Sequence, residues 1–264
     1  MSNQTTTYRA TFGDAVLSEW TKLRTLRSTT YTLLATCVLA VGLTALIASG
    51  SYDDLSAAER ADFDPTATAL KAFIVAQIAM AAFGVLAVTA EYSNGMIRTS
   101  LAAVPKRARL LSAKALVFAV VALVLGQVVA FTSFLVGTGV LAGTGAPTSA
   151  FGDPGVLRAV LGEGLYLALV GLLGVAAGVL VRATAGGILV MVVTTLLVPA
   201  FTPALPGPIA DLMIQYWPTI AGTRIMSVVP DPAQPSPWVG LAVLCAWTVA
   251  TLSAAFMVFR RRDA

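Results

Sequence analysis

Glu163 is the one acidic residue inside a long apolar stretch of this sequence. Intramembrane acids are costly to bury and commonly lie on ion or substrate pathways. This one follows Arg158 by five residues and lies between two glycines, near the start of its apolar run. We interpret Glu163 as a residue at the boundary of the membrane, bonded to Arg158 or to water. An intramembrane polar site on a pathway is the alternative.

The other reactive side chains form no recognisable catalytic or metal site. His is absent, which removes the commonest general base and metal ligand. Cys37 and Cys245 lie in apolar runs, where a free Cys packs as a small apolar residue. A phosphate-binding loop needs Gly-Lys followed by Ser or Thr, but none of the four lysines follows a glycine. We expect neither an enzymatic activity nor a cofactor in this chain.

Residues 91–114 form the most basic segment between two apolar runs. The segment begins at Glu91, and Asn94 followed by Gly95 is a turn signal. Five basic residues follow the turn: Arg98, Lys106, Arg107, Arg109 and Lys114. One interpretation is a basic loop that sets topology and touches anionic lipid.

The same segment also has a pattern typical of a docking helix. Residues 96–103 provide two helical turns before Pro105 stops them. Their apolar side chains are Met96, Ile97 and Leu101. A solvated tether needs no such set, so we favour a short helix that contacts a partner, with Glu91 paired to Arg98 or Lys22.

Residues 11–27 have an amphipathic pattern. At 100° per residue one side collects the apolar side chains Phe12, Val16, Trp20, Leu23 and Leu26. This pattern predicts a helix lying in the membrane interface, although Glu19 interrupts the apolar face. Such a helix is either a plain anchor or also a contact for a cytoplasmic partner, made by Glu19 and Lys22.

Long apolar runs separate these segments and determine the fold class. Apolar residues make up 57% of the chain and charged residues only 11%, against about 25% charged in soluble domains. A helix needs about 20 apolar residues to cross the bilayer. We therefore predict an all-α polytopic membrane protein, a single domain over 1–264. The six predicted spans are 29–50, 72–90, 115–142, 159–181, 186–205 and 238–259.

The distribution of basic residues predicts the orientation. Of the 17 Lys and Arg residues, 13 lie on the side of the N-terminus and four on the other side. Cytoplasmic segments carry the excess of Lys and Arg. We therefore place both termini and residues 91–114 in the cytoplasm and residues 206–237 outside. Within 206–237, an apolar run too short to span predicts a re-entrant or interfacial helix pair.

Small residues in the fourth predicted span favour close helix packing. Gly174 and Gly178 are four residues apart, and Gly171 lies on the same stretch. This spacing lets helix backbones approach each other. The pattern does not distinguish packing within the chain from packing in a dimer.

The order of these parts resembles the ABC-type-2 exporter permeases. The resemblance rests on Glu19-Trp20-Thr21-Lys22-Leu23-Arg24 in the interfacial helix, the 91–99 stretch after the second span and the re-entrant segment before the last span. It covers nearly the whole chain and implies a single permease domain in the cell membrane. It also implies that two permease copies form the pathway.

The resemblance further implies a set of partners. A separate ATPase would carry ATP and Mg²⁺ and bind a cytoplasmic coupling helix after the second span. Membrane lipid and an unidentified exported small molecule or lipid are the other implied partners, and nucleic acid is not among them. The residues implied in ATPase coupling are Glu91, Gly95, Met96, Ile97, Arg98, Leu101, Lys106 and Arg107.

Two alternatives to a transporter subunit of this kind are a non-transport module and an ion-coupled carrier. A non-transport membrane module, such as an assembly, sensor-partner or immunity-type protein, would share the spans but lack an ATPase partner. An ion-coupled carrier would show buried charges in several spans and internal repeats, whereas the sequence has one acid, Glu163, and no evident repeat.

Overall fold

The computed structural model describes residues 11–25, 27–50, 52, 55–61, 63–93, 95–96, 107–229 and 234–261. These residues are mostly helical and contain no strand, which confirms the all-α polytopic class. The helices named below are α1 (Phe12–Thr25), α2 (Arg27–Gly50), α3 (Ala57–Ala61), α4 (Pro65–Leu70), α5 (Phe73–Ser93), α6 (Arg107–Gly143), α7 (Val156–Val181), α8 (Thr184–Val192), α9 (Val198–Phe201), α10 (Gly207–Tyr216), α11 (Pro218–Gly222) and α12 (Pro237–Arg261).

Five stretches of the described residues are helical, long and apolar enough to cross a membrane. They are Pro65–Tyr92, Arg107–Gly143, Val156–Val181, Thr184–Ala204 and Pro237–Arg261. In α2, the apolar helical stretch Leu34–Gly50 is shorter than these five. The predicted number of six spans is therefore not confirmed, while five of the predicted spans overlap these helices.

Two helices extend past the apolar runs into the basic segment. Helix α5 continues to Ser93, beyond the predicted span 72–90, and α6 begins at Arg107 rather than near residue 115. Basic residues are good helix formers, and nothing after Pro105 interrupts the helix. Glu91 and Lys114 are therefore helical residues, at the end of α5 and near the start of α6. We call this end of the bundle the loop end, and the opposite one the far end.

Helix α7 lies at the centre of the bundle and packs through its glycines. The backbone carbonyl of Gly171 contacts Gly84 of α5, and that of Ala81 in α5 contacts Gly174. A Cβ added to Gly126 of α6 would lie 2.6 Å from the carbonyl oxygen of Gly164. Because only glycine permits such approach, α5 and α6 both fit directly against α7.

The stretch Thr184–Ala204 is one continuous helix whose regular bond pattern is broken at a π-turn, and we call it the broken helix. Residues Val193–Leu197 form a π-turn, in which the Val198 N–H bonds the carbonyl of Val193, five residues earlier. Pro199 has no N–H and cannot continue the ladder. The carbonyls of Thr194 and Thr195 therefore lose their usual helical donors.

Side chains from other elements replace those donors. Trp217 Nε1 donates to the Thr194 carbonyl at 2.9 Å, and Thr219 Oγ1 donates to the same oxygen at 3.1 Å. Gln77 Nε2 of α5 donates to the Thr195 carbonyl at 3.3 Å. The proline break thereby fixes the 206–237 segment and α5 against the broken helix.

The 206–237 segment forms two short helices, α10 and α11, followed by a 3₁₀ turn at Thr223–Met226. The carbonyl of Ala221 in α11 contacts Gly240 of α12. Arg158 of α7 donates to the carbonyls of Ile225, at 3.1 Å, and Ser227, at 2.8 Å. The segment is thus held to both α7 and α12, and its re-entrant or interfacial placement remains a prediction.

Candidate functional site

A cluster of charged side chains lies where α1, α5 and α6 meet at the loop end. We call Glu19, Lys22, Glu91 and Lys114 the charge cluster. Lys22 Nζ lies 2.6 Å from Glu19 Oε1 and 2.8 Å from Glu91 Oε1. Lys114 Nζ lies 2.6 Å from Glu19 Oε2 and 2.9 Å from Glu91 Oε1. Each lysine thus bridges the same two carboxylates, one on α1 and one on α5.

Lys114 has an acceptor for each of its three N–H groups. Besides Glu19 and Glu91, its ammonium group donates to the Ala87 carbonyl of α5 at 3.2 Å. A lysine has three N–H donors, and these three acceptors match them. Lys114 therefore joins the start of α6 to both neighbouring helices.

The charge cluster is largely withdrawn from solvent. Glu19 is 2% exposed, Glu91 6% and Lys114 8%. Burial by itself lowers the pKa of Lys22, but hydrogen bonds and charge attraction from Glu19 and Glu91 outweigh it, so its pKa is raised above 10.5. A buried pair of this kind is destabilised strongly when one partner is removed, because the other charge stays buried without compensation.

The buried side of α1 differs from the predicted apolar face. Ala15 and Glu19 are the buried residues of α1, while Phe12 and Trp20 are 43% and 44% exposed. Leu23 is partly buried and packs on the core. Glu19 does not break an interfacial face but anchors the helix to α6, because Lys114 lies opposite it. The expectation that Glu19 is available to a cytoplasmic partner is therefore wrong.

The predicted pairing of Glu91 with Lys22 is present, and Arg98, the other candidate, lies outside the described residues. Lys114 as a second partner was missed by the sequence reasoning. Lys114 lies 23 positions from Glu91, and the sequence pattern indicates for it only a role in membrane topology. One signal does point to the pair: an acid ends one helix, and a lysine lies near the start of the next.

Four of the eight predicted coupling residues, Glu91 among them, lie in the described part of the chain. Gly95 has a φ of +68°, a left-handed conformation that favours glycine, which fits the predicted turn. Met96 is 44% exposed. Arg107 Nη1 donates to the Phe259 carbonyl at 3.4 Å and so contacts α12. The others, Ile97, Arg98, Leu101 and Lys106, lie outside the described residues.

The two-residue link between α7 and α8 also contacts the loop end. Arg182, with a left-handed φ of +58°, ends α7. Its guanidinium group lies 5.4 Å from the ring centroid of Tyr92, next to Glu91. Thr184 donates to the hydroxyl of Thr89 at 2.9 Å. The end of α5 is therefore held by the α7–α8 hairpin as well as by the charge cluster.

The sequence family described as ABC-2 family transporter protein matches residues 15–199. The chain belongs to this family. It is accordingly the permease subunit of an ABC transporter, a transport subunit of a kind that is generally not itself catalytic. No curated protein matches the chain. The family match includes all four members of the charge cluster, so this feature lies in the part that the permease shares with its family.

Glu163 of the permease is fully buried in α7. Neither of its carboxyl oxygens has a hydrogen-bond partner among the described residues. The expected bond to Arg158 is wrong, because that guanidinium donates to carbonyls of the 206–237 segment instead. The described residues also contain no group of three or more His, Cys, Asp or Glu side chains placed to hold a metal ion.

Proposed function

We propose that this permease is the membrane half of an exporter that works as a dimer and is driven by a separate ATPase bound at the loop end. The family supports the permease role, and the sequence has no phosphate-binding loop of its own. The observation that carries the proposal is the charge cluster. It joins the two helices on either side of residues 94–106 to the interfacial helix α1.

The cluster gives a physical route from a cytoplasmic push to the membrane helices. A force on the segment between α5 and α6 acts on both helices as levers, because it is continuous with both. Glu91 and Lys114 lie at the bases of these levers, and each is bonded to α1. Helices joined by such buried pairs move together. We infer that α1, α5 and α6 respond as one unit when the ATPase closes.

We infer that the docking surface of the segment is the helix predicted at 96–103. Interfaces place most of their energy in a few central anchors and use charge for orientation. Met96, Ile97 and Leu101 would be the apolar anchors, and Arg98 would orient the partner. Lys106 and Arg107 lie further along, and Arg107 already contacts the Phe259 carbonyl.

Photo-crosslinking tests the ATPase partner directly. A photoreactive residue at position 96, where Met96 is 44% exposed, should crosslink in native membranes to a protein with a Gly-x-x-x-x-Gly-Lys-Ser/Thr loop. The matched control places the same residue at Leu212, which is exposed in α10 at the far end. Mass spectrometry identifies the product. If no such ATPase is captured at position 96, the non-transport membrane module becomes the better interpretation.

A pair of double variants tests the docking helix. Ile97→Ala with Leu101→Ala should preserve insertion and expression but weaken ATPase association and abolish transport-stimulated ATP turnover. Lys106→Ala with Arg107→Ala should have a milder effect, because charges set orientation more than affinity. If the apolar pair can be truncated without loss of either readout, the segment is only a basic tether.

We also propose that both termini and the loop end face the cytoplasm. The support is the excess of basic residues on that side of the predicted spans. Single cysteines, introduced after replacing Cys37 and Cys245 with Ala, test it with a membrane-impermeant thiol reagent. Positions 53–64 should react from outside, and positions 106–109 only after the membrane is opened. The reverse pattern would refute the orientation and the coupling proposal together.

A further inference from the structure

A cavity of about 430 Å³ lies at the far end of the bundle. Helices α5 and α7, the broken helix and the 206–237 segment enclose it. The π-turn lies beside it, and Trp217 and Thr219 hold the 206–237 segment to the freed carbonyl of Thr194. Its volume falls in the range of ligand sites.

The surface of the cavity is mostly apolar, and its polar groups belong to the buried residues of its lining. Five lining residues are buried, and each carries a polar group; we call them the closed end, and they are Gln77, Tyr166, Thr195, Thr202 and Thr219. Its exposed lining residues are Ile74, Ala200 and Pro203. A molecule entering from the apolar surroundings of the helices would therefore place its polar end inside and its apolar part at the mouth.

The hydroxyl groups of the closed end already donate hydrogen bonds to acceptors within the protein. Tyr166 Oη donates to Gln77 Oε1 at 2.5 Å. Thr195, Thr202 and Thr219 each donate to a backbone carbonyl, at 2.8, 2.8 and 3.1 Å. A hydroxyl oxygen that donates keeps its lone pairs as acceptors. The closed end thus offers mainly acceptors.

The lining also restricts the charge that a ligand can carry. Among the described residues that line the cavity there is no Asp, Glu, Lys or Arg. A carboxylate or phosphate entering it would lose its hydration without meeting a cation, and an ammonium group would meet no anion. A neutral group that donates a hydrogen bond meets the free lone pairs.

We propose that this cavity binds an uncharged single-chain amphiphile whose polar end donates a hydrogen bond, as a long-chain alcohol does. The proposal goes beyond the permease function, because it requires neither the ATPase nor a transport direction. It concerns a ligand site in the membrane part of the chain and can be tested on the full-length protein alone.

Fluorescence quenching measures this binding, because Trp217 lies beside the cavity. Its indole bonds the carbonyl of Thr194, next to the lining residue Thr195. A chain in which Trp20, Trp238 and Trp247 are replaced by Phe keeps Trp217 as the single tryptophan reporter. It is placed in phosphatidylcholine nanodiscs. Three bromine-bearing quenchers are added: dodecanol brominated beside its hydroxyl, the matching brominated dodecanoate, and bromododecane.

Three variants identify the binding place. Ala200→Phe fills the mouth, and Leu197→Phe adds a side chain of the same size one turn earlier, at a residue that is 40% exposed and does not line the cavity. Thr202→Val removes one buried acceptor without changing the side-chain size. Ala200 is exposed, so its replacement does not overpack the core.

The expected result is saturable quenching by the brominated alcohol and only weak, linear quenching by the other two compounds. Saturation should be lost in Ala200→Phe, kept in Leu197→Phe and weakened in Thr202→Val. Linear quenching by all three compounds that is unchanged in Ala200→Phe would show partition into the bilayer alone and overturn the proposal. Saturable binding of the dodecanoate as tight as that of the alcohol would overturn it as well.

Discussion

The charge cluster shows how a few residues determine the arrangement of three helices. Two lysines share the same two carboxylates, with Nζ to oxygen distances from 2.6 to 2.9 Å. Apolar contacts alone would let α1 rotate or slide, whereas hydrogen-bonded ion pairs need one register. Such pairs add little net stability relative to an apolar core but make loss of one partner costly. We infer that the cluster determines the position of α1.

Removing one member of an ion pair should lower the free energy of unfolding more than replacing both members with apolar residues. Glu19→Leu leaves Lys114 buried beside fewer acceptors and should lower the free energy of unfolding by about 3–5 kcal/mol. Glu19→Leu with Lys114→Met removes both charges, leaves Lys22 with Glu91, and should recover most of that loss. Reversible unfolding in mixed micelles measures the three proteins.

Lys71→Met is the control for that series, because Lys71 is exposed at the far end. It should change the free energy of unfolding by no more than about 0.5 kcal/mol. A double variant that is destabilised by the full sum of its single variants would contradict the paired arrangement.

The cluster should also give α1 a pH dependence at the alkaline end. The pKa of Lys22 is raised above 10.5 in the folded chain, so its contribution is complete below the unfolded pKa and is lost as pH rises through the folded one. The groups that face it are Glu19, Glu91 and Lys114 through these carboxylates. We expect α1 to loosen above about pH 10.5, with Trp20 emission in micelles as the measurement.

The control for this titration is Lys22→Arg. The guanidinium group stays charged throughout the accessible range, so the change in Trp20 emission should move to higher pH or become smaller. An unchanged titration in this variant would assign the effect to another group and contradict the role of Lys22.

Glu163 is the second residue whose surroundings allow a sharp test. No ion pair or hydrogen bond of its carboxyl group is present among the described residues. Glu163→Gln preserves the size and should leave the free energy of unfolding within about 1 kcal/mol of the parent. Transport by the reconstituted complex separates the two interpretations: it should fall if Glu163 lies on the pathway and stay unchanged if it lies at a boundary.

At the scale of elements, glycine contacts determine which helices meet. Gly174 and Gly178 of α7 face α5, and Gly164 lies against Gly126 of α6. The helix spacing is therefore determined by backbone contact rather than by side-chain size. The small residues of α7 therefore mediate packing within the chain. The sequence pattern alone did not distinguish this from packing in a dimer.

Enlarging one of these glycines should separate the helices. Gly174→Leu would push against the Ala81 backbone of α5 and should lower the free energy of unfolding by about 1–3 kcal/mol or more. Gly139→Leu is the matched control, since no atom lies within 4 Å of a Cβ added there. Equal effects of the two variants in micelle unfolding measurements would show that the α5–α7 contact is not tight.

At the scale of the whole molecule, the helices differ widely in how much of their surface the chain itself covers. The most apolar part of Val156–Val181 is 72% buried within the chain, whereas the corresponding parts of Thr184–Ala204 and Pro237–Arg261 are only 17% buried. Lipid or a second copy must cover the two outer stretches. This distribution is compatible with the proposed dimer, in which one chain supplies half of the pathway.

Native mass spectrometry from nanodiscs tests the dimer. We expect a permease species of twice the 27.2 kDa mass of one chain, or a heterodimer of similar mass. Release with a denaturing detergent should yield single chains and serves as the control. A monomer that still supports transport with the ATPase would contradict the proposal.

The sequence by itself determined the fold class and the position of most long helices. Those features depend on composition and on local apolar runs, because any stretch of about 20 apolar residues must be placed in the membrane. The turn at Gly95 was predicted from the local Asn94-Gly95 pair, and Lys22 was one of the two partners predicted for Glu91, with Arg98 as the other. The number of spans was not settled, since the apolar stretch Leu34–Gly50 of α2 is shorter than a full span.

Only the tertiary structure decided what each helix faces. An amphipathic pattern shows where apolar side chains lie on a helix, but not whether a charge among them meets an opposite charge on another helix. In the sequence Glu19 interrupts the apolar pattern of α1, and only the tertiary structure places Lys114 opposite it, at 2.6 Å. The bonds that satisfy the carbonyls freed by Pro199 likewise come from residues distant in the chain, and burial of a polar group without such partners is costly.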